Sequence, residues 1–233
     1  MASKKLAPIT HEDLKQIFTS RDFLGGIKKA TKIGLEKHVE SQFSFWRGMF
    51  SNKIKCFSPS KATHHQPFSI EFDLDQKDYE NVIDQKLMPL LLYHCHSSPY
   101  ICPSEQDLLT YFEIKNQYNL FSEGYIVRTI INHTLDCIGA IREKGKFHDI
   151  LVMQNHSKKV DLTEGEFAYQ QIFDKLGRRR DDNVRLTETL DCLHQWNAHL
   201  LTYERMGKSY GISENQLSGL EKFAYTPVLN PDY

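Results

Sequence analysis

Residues 87–93 form the longest apolar run in the chain, broken only by Pro89, and the run is the length of a β-strand. It falls far short of the roughly 18 apolar residues that a membrane-crossing helix needs. It therefore reads as a buried strand, and it leads directly into His94-Cys95-His96. A chain of 233 residues can close one well-filled domain around such a strand, or a domain with a helical extension.

The pattern around this strand sets the expected architecture. Residues 11–41 carry helical spacing. Leu14, Ile17 and Phe18 share a face, and Ile27, Ala30, Ile33 and Leu35 continue the spacing after an expected break at Gly25 and Gly26. Residues 43–57 are rich in aromatic and β-branched side chains and predict a hairpin turning at Asn52 and Lys53, with Gly48 a candidate bulge. Residues 59–66 read as a loop, and Phe68, Ile70 and Phe72 alternate like a strand with one buried face. A helix is expected over 78–86, a strand over 87–96, a loop over 99–103 and a helix from Ser104 to about Gln117. Strands are expected over 125–131 and 135–141, joined at Asn132 and His133, and again over 150–153. Residues from 164 onward read as mostly helical. The clearest helix is 187–203, where Leu190, Leu193, Ala198 and Leu201 are spaced for burial. The expectation is an α/β or α+β domain over residues 1–160, followed by a helical C-terminal extension over 161–233.

Composition narrows the function classes. Lys and Arg total 29 against 30 for Asp and Glu, so the net charge of −1 supplies no global attraction to nucleic acid. Arg178, Arg179 and Arg180 are followed by Asp181 and Asp182, the pattern of a self-neutralising solvated loop. Residues 1–10 lack the apolar core of a secretory signal. The five cysteines are scattered, with no Cys-x-x-Cys pair, and read as reduced thiols. The expected location is the cytoplasm.

Chemistry concentrates in residues 93–107. His94 and His96 lie two apart on a strand, so their imidazoles leave the same face and can hold one metal ion. Pro103 followed by Ser104 starts a helix with Ser104 at the N-cap, which puts Asp107 in the first turn. Two imidazoles and one carboxylate make a three-ligand site with a fourth position open, the pattern of catalytic rather than structural zinc sites. Such an ion lowers the pKa of water toward 7. Ser-x-x-Asp is equally a helix capping box that needs no metal. His64 and His65 lie in a polar stretch and read as solvated. His194 and His199 are five apart on the expected helix and do not share a face. Cys95 points away from its flanking histidines, and Cys102 lies close to the proposed site.

His94-x-His96, seven residues, then Ser104-x-x-Asp107, preceded by an apolar strand, resembles the signature of the JAMM (MPN-plus, JAB-domain) metalloproteases. The resemblance covers residues 40–145. It departs at Ser97, where family members usually carry proline, the proline here being Pro99. The resemblance implies a mixed β-sheet flanked by helices and one zinc ion per chain on His94, His96 and Asp107. It implies hydrolysis of a peptide or isopeptide bond after the C-terminus of ubiquitin or a ubiquitin-like protein. It also implies an upstream glutamate as general base and Ser104 as donor to the oxyanion. Glu40, between the first helical region and the next strand, best matches that glutamate, with Glu36 and Glu71 as competitors. Two other readings stand beside this one: a RadC-like JAB domain linked to DNA metabolism, and a silent scaffold with a protein-complex partner.

Overall fold

The computed structural model describes residues 8–48, 51, 53–61, 76–85, 87–104, 107, 134–155 and 196–225. Two helices open it, α1 (His11–Thr19) and α2 (Arg21–Lys37). Thr10 and Asp13 cap α1 reciprocally, each side chain bonding the other's backbone N–H. The break between the helices falls at Ser20, whose extended backbone ends α1 and whose hydroxyl accepts the Phe23 N–H at 3.1 Å to start α2. The break expected at Gly25 and Gly26 is thus corrected, because α2 runs through both. Gly26 marks a close approach instead: a Cβ there would lie 2.8 Å from the Phe43 ring.

Seven strands form one mixed sheet: β1 (Ser41–Gly48), β2 (Ile54–Lys61), β3 (Leu87–Cys95), β4 (Leu135–Arg142), β5 (Phe147–Asn155), β6 (Trp196–Met206) and β7 (Ser209–Gly211). The order is β2-β1-β3-β4-β5-β6-β7. Among the described strands only β3 and β4 pair in parallel, and residues 96–134 connect them, as long as the crossover a parallel pair requires. The hairpin expected over 43–57 is β1 and β2, with Gly48 donating its N–H to the Lys53 carbonyl at 2.9 Å. The hairpin's register shift falls between Gln42 and Ser44, and that of β1 against β3 between Phe45 and Trp46, neither at Gly48. β2 also extends through Lys61, into the stretch expected as loop. A third helix, α3 (Gln76–Asp84), precedes β3.

Residues 196–203 correct the helix expected over 187–203. They belong to β6, which pairs antiparallel with β5 from Asn155↔Trp196 to Phe147↔Glu204. Leu201 and Tyr203 are fully buried, while Leu200 and Glu204 are exposed. That is a period of two, and the spacing of Ala198 and Leu201 coincides with a helical one only by chance. The sheet therefore continues across the boundary expected at residue 160. The expected strands over 68–72 and 125–131, the turn at 132–133, residues 164–195 and most of the helix after Ser104 lie outside the described residues.

One face of the sheet carries the main core. Leu14, Ile17 and Phe18 of α1 and Phe23, Ile27 and Ala30 of α2 pack there with Phe43, Tyr93, Cys137, Ile150 and Tyr203. Phe43 and Tyr93 stack at 4.2 Å between ring centroids. The C-terminal turns, α4 (Glu214–Ser218) and the 3₁₀ turn Gly219–Phe223, add Leu217, Leu220 and Phe223 to this core. Ile9 and Tyr225 form a two-bond bridge, and His11 Nε2 lies 3.1 Å from the Leu217 carbonyl. A second cluster of Trp46, Phe57, Val82 and Leu87 packs against α3. Among the described residues no helix is long and apolar enough to cross a membrane.

The two neighbouring glycines of α2 give opposite predictions. A methyl at Gly25 meets nothing within 4 Å, so Gly25→Ala gains helix propensity and stabilises by about 0.5–1 kcal/mol. A methyl at Gly26 meets a Phe43 ring that the Tyr93 stack holds in place. Overpacking of this kind costs about 1–3 kcal/mol and outweighs the propensity gain, so Gly26→Ala lowers the urea midpoint. Equal midpoints for the two variants would refute the close approach.

Candidate metal centre

Local structure brings the site residues together from three directions. α2 ends at His38, whose left-handed backbone (φ 52°) returns its N–H to the Gly34 carbonyl at 3.1 Å. Two residues later Glu40 enters β1, buried at 8% exposure. Gln42 of β1 pairs with His94 of β3, which brings the start of β1 beside the end of β3. His94 and His96 are each 8% exposed, and the His96 N–H donates to the Gly139 carbonyl of β4 at 2.8 Å. Beyond the loop, Ser104 and Asp107 form a reciprocal cap. The Ser104 N–H donates to Asp107 Oδ2 at 2.6 Å, and the Asp107 N–H donates to Ser104 Oγ at 3.2 Å. This cap turns the Asp107 carboxylate back toward the histidines.

Three side chains then converge. His94 Nε2 and His96 Nε2 are 3.2 Å apart, His94 Nε2 is 3.1 Å from Asp107 Oδ1, and His96 Nε2 is 3.2 Å from Asp107 Oδ2. Donors bonded tetrahedrally to zinc at 2.0–2.1 Å stand about 3.3 Å apart. Each of the three contacts, taken singly, lies within about 0.2 Å of that spacing, and the side chains are the two imidazoles and one carboxylate that a catalytic zinc site uses. His94, His96 and Asp107 are also the one group among the described residues able to hold a metal ion.

The tautomers sharpen the case. The Tyr100 carbonyl lies 2.7 Å from His96 Nδ1 and can only accept, so Nδ1 carries the proton and neutral His96 presents a bare Nε2. That lone pair faces a carboxylate oxygen and a second imidazole nitrogen. Such an arrangement is repulsive unless a cation is shared. In the metal-free chain the cation is a proton on His94. Burial opposes that proton, yet Asp107 lifts the His94 pKa to about 9. Burial likewise pushes Asp107 up, and His94 and His96 outweigh it and hold Asp107 well below the usual carboxylate range.

Glu40 belongs to the same electrostatic cluster. Burial raises its pKa, while His94 and His96 pull it down and Asp107 pushes it up, with a net rise. Glu40 is thus a buried carboxylate made more basic beside His94, His96 and Asp107. Its expected competitor Glu36 is exposed on α2 and pairs with Lys32 at 4.0 Å, and Glu71 lies outside the described residues. Ser104 is exposed at the helix start, and its hydroxyl accepts from Asp107, which leaves its own proton available to donate. Cys95 points to the opposite, core face, where burial pushes its thiol up to about 12. His64, His65, His194 and the 178–182 charges lie outside the described residues. His199 lies in β6 and contacts the Gln216 carbonyl at 2.8 Å, far in the sheet from β3. Two contributors carry no sequence motif. One is the Tyr100 carbonyl, a backbone group. The other is Asp136 of β4, whose only signal is a carboxylate inside an apolar strand. No protein-family model and no curated protein sequence matches the chain.

The His94 proton gives a pH prediction. His94 is raised above its ordinary 6.5, so its pairing with Asp107 stabilises the metal-free fold fully below that value and is lost as pH rises through about 9. Metal and proton compete for the same nitrogen. Zinc affinity measured by chelator competition should rise about tenfold from pH 7 to pH 8 and level off above about pH 9. A flat profile over that range would show that the ion displaces no proton.

Proposed function

We propose that the chain is a zinc-dependent hydrolase of the JAMM type, cleaving a peptide or isopeptide bond after the C-terminus of ubiquitin or a ubiquitin-like protein. The observation that carries the reading is the triangle of His94 Nε2, His96 Nε2 and an Asp107 oxygen, with buried Glu40 in the same cluster. His94, His96 and Asp107 would hold the zinc, which supplies a Lewis acid for the scissile carbonyl and makes water acidic enough to attack near neutral pH. Glu40 accepts the proton of the attacking water and delivers it to the leaving amine. Ser104 donates its hydroxyl proton to the developing oxyanion. The burial of both histidines and Glu40 keeps bulk water from competing for these contacts. Among the described residues β2 lies at the edge of the sheet and its Lys61 pairs with Ser41, next to Glu40, so an extended substrate tail added to that edge would end near the site. Substrate identity rests on the resemblance of the motif alone.

A silent scaffold is the second reading. The cap between Ser104 and Asp107 and the shared His94 proton satisfy the site without an ion.

Elemental analysis and a ubiquitin–peptide fusion cleavage assay on the same samples separate the two. We expect about one zinc per wild-type chain, with metal and cleavage both lost in His96→Ala. Glu40→Gln should keep the zinc and lose cleavage by about 10²–10⁴-fold. A wild type that takes up no zinc after resupply at neutral pH leaves the scaffold reading in place.

A further inference from the structure

The loop after His96 buries some of its apolar side chains and leaves one out. Ile101 and Cys102 are 9% and 7% exposed and Pro103 is buried, whereas Tyr100 is 56% exposed. Among the described residues the other large hydrophobic side chains left exposed are Leu35 on α2 and Leu200 and Met206 on β6. Tyr100 alone of the four stands beside the candidate metal centre. A single exposed apolar side chain is ordinary on a protein surface, so position decides what Tyr100 can do.

That position is fixed by its neighbours. The Tyr100 carbonyl accepts the His96 Nδ1–H at 2.7 Å, through the ring nitrogen that does not face His94 and Asp107. The backbone of Tyr100 therefore lies one imidazole ring away from the nitrogen able to bind a metal ion. Pro99 restricts the chain on one side of it, and buried Ile101 and Cys102 anchor the chain on the other. A tyrosine has only two side-chain torsions, so on a held backbone its ring offers a large contact area at little entropic cost. Pockets that bind organic ligands are lined mainly by apolar and aromatic groups, with a few polar groups or a metal to fix orientation.

We propose that Tyr100 is a specificity-determining residue of the metal centre, an aromatic shelf at its rim that packs against an apolar or aromatic side chain adjoining the scissile bond of a peptide substrate. The inference rests on the metal-hydrolase reading of His94, His96 and Asp107 and adds a substrate class to it. The two parts of Tyr100 divide the work: the carbonyl orients a ligand, and the ring receives the substrate. Because the brace on His96 is a backbone group, the side chain can be replaced without removing it.

The test loads wild type, Tyr100→Phe and Tyr100→Ala with cobalt(II). Each is titrated with acetohydroxamate and with hydroxamates that carry a phenyl group on methylene tethers of increasing length, and the visible bands of the metal report binding. Hydroxamates bind the ion directly, so the readout needs neither turnover nor the natural substrate. Wild type should bind at least one phenyl hydroxamate about 3–10-fold more tightly than acetohydroxamate, the worth of an aromatic contact. Tyr100→Phe should keep that preference and Tyr100→Ala lose it, with metal content and acetohydroxamate affinity unchanged in all three. A preference that survives in Tyr100→Ala overturns the inference and leaves the metal site standing, as does a wild type that shows none. A Tyr100→Ala chain that no longer holds the metal shows that the ring shapes the loop instead of receiving a ligand, and this too overturns the inference. A wild type that takes up neither zinc nor cobalt overturns the metal reading, and the inference with it.

Discussion

Between Tyr93 and His94 the chain passes from core to site within one peptide unit, because successive side chains of a strand leave opposite faces of the sheet. Everything about the site depends on holding β3 in that register, since a slip of one residue would turn the imidazoles into the main core and the tyrosine out of it. The register is fixed from the core side. Tyr93 stacks on Phe43 and bonds its hydroxyl to His148 Nε2, while His148 Nδ1 meets Thr31 Oγ1 at 3.0 Å. The Tyr210 hydroxyl lies 3.3 Å from Thr31 and donates to the Gly145 carbonyl at 2.8 Å. Burial drives His148 down to about 3, so the chain of hydrogen bonds stays neutral across the physiological range. Gly139 makes room for it, because a Cβ there would come within 2.2 Å of the Tyr93 hydroxyl. A neutral, fully partnered polar chain on one face thus anchors a charged cluster on the other.

The capping box and the group of side chains able to hold a metal ion share one carboxylate. Asp107 Oδ2 takes the Ser104 N–H at 2.6 Å, and the same group still reaches both imidazoles. The cap stabilises a helix start and, in doing so, aims the third ligand. Short motifs read in isolation force a choice between these roles, and the geometry requires none.

Much of the site was legible because it is local. His94 and His96 depend only on strand alternation, and Ser104 with Asp107 only on helix-start chemistry. Glu40 was singled out by its place between a helix and a strand, and its charge interacts with those of His94, His96 and Asp107. What the sequence concealed is set by distant partners. β6 read as helix because Leu190, Leu193, Ala198 and Leu201 suit a helical face, whereas pairing with β5 imposes a period of two. The break in the first helical region was misplaced because glycine is a general breaker. Ser20 ends the helix by capping, and Gly26 is retained for contact with Phe43. Asp136 carries no motif, since its charge acts on His94 only through the parallel register of strands joined by residues 96–134.

The packing of α1 has a consequence for the order of events in synthesis. Phe18 and its neighbours are covered by elements near the far end of the described chain: the Tyr203 hydroxyl donates to the Phe18 carbonyl at 3.1 Å, Lys15 pairs with Glu214 at 3.3 Å, and Leu217, Leu220 and Phe223 complete the same core. At ribosomal elongation rates of about 5–20 residues per second, roughly 10–40 s separate the emergence of α1 from that of its partners. Throughout that interval α1 can pack only on the elements that follow it directly, and its apolar face stays without Tyr203, Leu217, Leu220 and Phe223.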